Sequence, residues 1–189
     1  MDLIYQWFQN NLDIIFFIYG LSFIVMGIAV LLQPKKGSKL GFAHIIWLLA
    51  FFGITHGTNE LLDMWTIIRG KSPALDMVRW FVLLVSYFFL FEFGRQLFRL
   101  NESKSPHWQK KIAGLFIWEL LPIIGLFILI SGFTSSDFWK VGSIWARYLL
   151  CLPGGFLIAF GFFLYYESEK EVLEPLKVKK YFLDRKSVV

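Results

Sequence analysis

Five stretches of the chain are too long, too apolar and too poor in charge to fold in water. They run over about residues 12–32, 42–68, 77–98, 112–132 and 141–166. A helix needs ~20 apolar residues to cross the hydrocarbon core of a bilayer, and each stretch reaches that length. Membrane strands are the losing alternative, because they are ~10 residues long with alternating polarity, and these runs are continuous. Composition points the same way: 57% of the 189 residues are hydrophobic and only 17% are charged, where soluble domains carry about a quarter charged. The expected fold class is therefore all-α, an integral membrane bundle of five transmembrane helices.

The basic residues predict how such a bundle is oriented. One set of connections holds Lys35, Lys36 and Lys39, then Arg95, Arg99, Lys104, Lys110 and Lys111, then six more in the tail after residue 166. The opposite side holds only Arg69, Lys71, Arg79, Lys140 and Arg147. Lys and Arg accumulate on the cytoplasmic side, so the N-terminus is expected outside and the C-terminus inside. Trp65, Trp80, Trp139 and Trp145 then form an outer aromatic belt, with Trp47 and Trp108 at the inner interface. The net charge of +5 reads as this topology signal, and no nucleic-acid partner is expected. The expected partner is the lipid bilayer and the expected location a bacterial inner membrane, crossed several times.

Charged groups inside a span cost ~2.5–3.5 kcal/mol on insertion scales, so each one needs a reason. On the second span, His56, Glu60 and Asp63 are spaced four and three apart and share one helix face, with Asn59 beside them. Arg79 on the third span and Arg147 on the fifth reach a similar depth. The expectation is one outer polar cluster of His56, Glu60, Asp63, Arg79 and Arg147, with Glu60 paired to Arg147. Such a cluster can hold a divalent metal, relay or sense protons, bind a small polar ligand, or serve only to lock helix packing. Toward the other end, Glu92 and Arg95 are three apart and expected to pair, while Glu119, three residues before Pro122, is expected to be protonated or to bond either the disturbed backbone turn or His44. Pro122 and the run Pro153, Gly154 and Gly155 are expected to kink their helices. Gly155 and Ala159 form a small-residue pair suited to close helix contact.

No cofactor is predicted. Haem is rejected because His44 and His56 lie on one predicted helix, ~18 Å apart, and His107 falls in a loop. No metal site is predicted either. His56 and Glu60 come nearest to one, but their spacing lacks the His-Glu-x-x-His pattern of zinc hydrolases. The single cysteine, Cys151, has no disulfide partner. Phosphate-binding glycine loops, nucleophile elbows and kinase signatures are not found in residues 1–189, so no catalytic residue is assigned.

Two segments carry a resemblance. His56-Gly57-x-x-Glu60-x-x-Asp63-Met64, and Trp145-x-Arg147-Tyr148-Leu149-Leu150-x-x-Pro153-Gly154, resemble the N-terminal membrane module of certain bacterial sensor histidine kinases and related signalling proteins. The start of the first span, Phe16 to Gly27, is similar to that group as well. The resemblance implies a sensory input module that relays a signal through its fifth helix, dimeric by analogy, with an output domain following in the same chain. Pro153, Gly154 and Gly155 are then the expected hinge. A small transporter or transporter subunit with a polar site at His56 and Glu60 is the alternative. Residues 167–183 are expected to form a cytoplasmic linker helix. The last six residues, 184–189, match one reading frame of a common short-read sequencing adapter, and the natural chain is expected to continue past about Leu183.

Overall fold

The computed structural model describes residues 2–33, 41–100 and 120–169. Among these the regular structure is all helical, with no strand. A short helix α1 (Asp2–Asn10) leads into α2 (Leu12–Leu31). A single 3-10 turn, Gly41–His44, precedes α3 (Ile46–Arg69), and α4 follows (Pro73–Leu100). Beyond residue 119 come α5 (Leu120–Phe133), α6 (Phe138–Ala146), a π-helical turn (Arg147–Cys151) and α7 (Leu152–Ser168). The last three are one continuous rod, Phe138–Ser168. The expected Glu119 interaction, the linker helix beyond Glu169 and residues 184–189 fall outside the described residues.

Local chemistry sets the turns. Gly70 ends α3 with φ +84°, a left-handed conformation that costs glycine little. Ser72 then caps α4, its hydroxyl accepting from the Leu75 N–H at 3.3 Å, and Pro73 occupies the first helical position. The Asp137 carboxylate likewise accepts from the Lys140 N–H at 3.1 Å to open α6. Where the expected second span begins at Phe42, the structure has the 3-10 turn, and α3 starts at Ile46. The expected third span widens to Pro73–Leu100, because the Ser-Pro cap recruits the turn before the apolar run.

The first three rods, α2, α3 and α4, alternate in direction. Gly20 of α2 meets Gly57 of α3, and Gly27 meets Gly53 and Ala50, so α2 and α3 run antiparallel. A Cβ placed on Gly27 would lie 2.6 Å from the Ala50 carbonyl oxygen, and one on Gly20 2.8 Å from that of Gly57. Only glycine allows the backbones this close, and close approach is what holds helices together where lipid competes equally for apolar side chains. α4 is antiparallel to α3 and parallel to the last rod, packed through Gly94 against Gly154 and Leu157, and through Gly161 against Leu97. α5 folds back on α6 with Phe127 on Trp145 and Gly132 on Phe138. The expected pair Gly155 and Ala159 is exposed, and Gly154 and Gly161 take the contact instead.

Polarity is distributed inside out. Exposed positions include Phe17, Ile18, Leu21 and Val25 on α2 and Phe156 and Phe163 on α7. His56, Asn59, Glu60, Ser86, Glu92 and Arg95 are buried. Water favours the reverse arrangement. Three rods, Leu12–Leu31, Pro73–Leu100 and Phe138–Ser168, are long and apolar enough to cross a membrane. The 24-residue α3 is long enough, but it carries the polar stripe. It shields that stripe between α2 and α4.

A candidate polar site among the helices

The stripe on α3 is turned inward. His56 is 8% exposed, Asn59 4% and Glu60 8%. Helical spacing places His56 Nε2 3.6 Å from Glu60 Oε1, and the Asn59 amide donates to Asp63 Oδ2 at 3.2 Å. From α4, the Ser86 hydroxyl stands 3.4 Å from His56 Nδ1 while donating to the Leu83 carbonyl at 2.8 Å.

Four aromatic rings enclose the imidazole. Phe23 approaches edge-on at 4.8 Å between centroids and Phe52 stacks at 5.2 Å. Tyr87 lies at 5.7 Å and Tyr19 at 6.4 Å. The two glycine crossings bring Tyr19 and Phe23 of α2 into reach of His56, which neighbours Gly57 in sequence. The histidine therefore has polar partners on two sides and apolar walls elsewhere. Water is largely replaced there by fixed groups, which strengthens each electrostatic interaction.

Arg79 closes the end of the stripe nearest the turn between α3 and α4. It forms an ion pair with Asp63 across the α3–α4 crossing and a second with Asp76, one turn back on its own helix, at 3.0 Å. Two carboxylates on one guanidinium satisfy its charge, although its Nε is buried without a hydrogen-bond partner. Arg147 begins the π turn on the last rod. Its guanidinium lies beside the Tyr87 hydroxyl, and its field reaches His56, Glu60 and Asp63. Among the described residues no ion pair joins Arg147 to Glu60, whose near neighbour is His56. The five expected residues thus fall in one region: four are linked by direct contacts in two pairs, His56 with Glu60 and Asp63 with Arg79, and Arg147, on the last rod, lies beside Tyr87 of α4.

The π turn has a plain cause. Pro153 has no N–H to donate to the preceding turn, and the backbone widens just before it, the Leu152 N–H bonding to the Arg147 carbonyl five residues back. The expected kink at Pro153, Gly154 and Gly155 is realised as this widened turn, while the helix itself continues through all three residues. Gly154 sits against the Phe91 backbone, and Gly155 has open space around it.

At the other end, Arg95 donates two hydrogen bonds to Glu92, at 2.7 and 2.6 Å, and Gln96 adds a third at 2.6 Å. This pair was legible from its spacing. Asp76, Tyr19, Ser86 and Tyr87 were not singled out, although Asp76 stands three residues before Arg79, a pairing distance on any helix. Gly53 and Gly57 were also passed over, despite their small-xxx-small spacing. Among the described residues, no group of three His, Cys, Asp or Glu side chains is arranged to hold a metal ion. No family model, curated protein or solved structure matches the chain.

Proposed function

We propose that the chain is the membrane-embedded input module of a bacterial signalling protein, crossing the inner membrane five times with its N-terminus outside. The carrying observation is the junction of the polar cluster with the last rod. Arg147 stands at once beside Tyr87 and on the π turn, and the same rod continues to Ser168. A change of charge or hydration at His56, Glu60 or Asp63 acts on Arg147 through the field they share. Such a change has two states to select between only if the helix can repack by a few kcal/mol. A π turn followed by two glycines is an element with that freedom. The alternation of helix directions and the excess of Lys and Arg on one set of connections support five crossings in this orientation. In this reading α3 is the second crossing, its polar face covered by α2 and α4. Homodimer formation and a cytoplasmic output domain in the same chain belong to the same proposal.

The test begins with the complete gene. An open frame running past Leu183 into a kinase or other output domain supports the reading. In that full protein, His56→Gln and Glu60→Gln should each shift the output at least several-fold, and alanine at Pro153, Gly154 and Gly155 together should fix it in one state. A small transporter with its polar site at His56 and Glu60 is the competing reading. It predicts that the same two substitutions abolish solute uptake, and unchanged output in all these variants would reject the input module.

A further inference from the structure

A second polar site lies at the opposite end of the bundle from Arg79, where the turn before α3 meets the last turns of α4. His44, Ile45, Arg95, Gln96, Arg99 and Leu100 line a cavity of about 260 Å³. We propose that this cavity holds a phosphate ester, drawn by Arg99 and seated against Arg95. The proposal rests on this cavity alone and is independent of the sensory reading.

The charge balance favours an anion. Glu92 already neutralises Arg95, so the surplus comes from Arg99. Arg99 is exposed, and none of the ion pairs among the described residues involves it. Arg99 lies in the last described turn of α4. His44 is already oriented: its Nδ1 lies 2.7 Å from the Gly41 carbonyl oxygen. A carbonyl only accepts, so the proton sits on Nδ1, and Nε2 is the ring nitrogen left for a ligand. A guanidinium fork is a donor suited to phosphate oxygens.

The frame is rigid. The Gly41 N–H donates to the Tyr165 hydroxyl at 2.8 Å, and Phe42 packs edge-on against both Phe162 and Tyr165. Beneath lie Ile45 and Leu48, each 2% exposed, with Phe93 and Leu97 fully buried. The polar mouth thus sits at the end of apolar rods, with Leu100 and Ile45 in its wall. That is the level at which the phosphate of a lipid headgroup lies, and a water-soluble phosphate ester presents the same group.

Native mass spectrometry of the detergent-purified chain distinguishes the sources. Short-chain phosphatidylglycerol should be retained in preference to a diacylglycerol of equal length. Arg99→Gln should weaken retention about fivefold to tenfold, the loss of one charge-assisted contact. Lys71→Gln removes the same charge at the far end and should leave retention unchanged. Arg95 is left intact, because its loss strands the buried Glu92. Displacement of the lipid by millimolar glycerol phosphate identifies a soluble ester as ligand, and its failure identifies the lipid. Equal retention of diacylglycerol, or an equal loss in Lys71→Gln, overturns the proposal.

Discussion

A single methyl group at position 57 has nowhere to go. A Cβ there would overlap the Gly20 carbonyl and crowd the Ile24 side chain and backbone. Overpacking of this kind costs about 1–3 kcal/mol, because backbone cannot rotate away as a side chain can. Gly57→Ala should lower stability by about that amount in detergent unfolding titrations. Gly155→Ala should be neutral or stabilise by up to about 1 kcal/mol, since its site is open and alanine favours the helix. A result in which both behave alike would show that the glycine crossing is not what holds α2 to α3. The Asp63–Arg79 pair gives a second residue-scale test. Its side chains are 18% and 27% exposed, so water screens it in part. Removing either charge leaves the other poorly matched, and Asp63→Asn or Arg79→Gln should each destabilise by about 1–3 kcal/mol. The double variant should lose clearly less than the sum of the two, with Asp76 accounting for part of what remains. Strict additivity would mean the contact contributes nothing.

Among the elements, the last rod carries the most specific information. A π turn holds one residue more than the α-helix it replaces, with the flanking turns kept in register. Here the flanks are fixed by Gly142 against Trp80 and by Gly154 against Phe91. Deleting Tyr148, which is 62% exposed, should convert the turn to α-helix at a cost within about 1 kcal/mol while both flanking contacts persist. Inserting one alanine after Gly155 should instead rotate Gly161 about 100° away from Leu97 and lower the melting temperature markedly. Deletion and insertion that destabilise equally would remove the π turn from the account. The first helix is a different case. α1 presents Trp7 and Phe8 at an exposed surface beside Gln6, Gln9 and Asn10, the composition of a segment lying in an interface. Nothing in the apolar-run reading pointed to it, because nine residues are too few to register as a span.

For the whole molecule, the five-crossing orientation predicts opposite labelling at the two ends. In intact cells carrying a Cys151→Ser background, Gly70→Cys should react with a membrane-impermeant maleimide, and Ser168→Cys should react only after permeabilisation. The reverse pattern would invert the orientation, and labelling of both would break the crossing count. Much of the helical frame was legible, because long apolar runs leave a chain few alternatives. The polar face at His56, Glu60 and Asp63 was legible for the same reason, as helical spacing alone aligns those residues. What escaped were the groups brought to His56 by tertiary packing. Tyr19 and Phe23 come from one neighbouring helix, and Ser86 and Tyr87 from another. No period along a single helix encodes them. Gly155 and Ala159 misled because spacing reveals a smooth face without saying which way it turns.

The bond from the Gly41 amide to the Tyr165 hydroxyl spans 124 residues of sequence and works as a latch. It fastens the lead-in to the second long rod onto the far stretch of the last one. Any sliding or twisting of that last rod must either tow the lead-in with it or snap the latch. Tyr165→Phe would cut the link while sparing the ring, leaving the final segment free to move by itself.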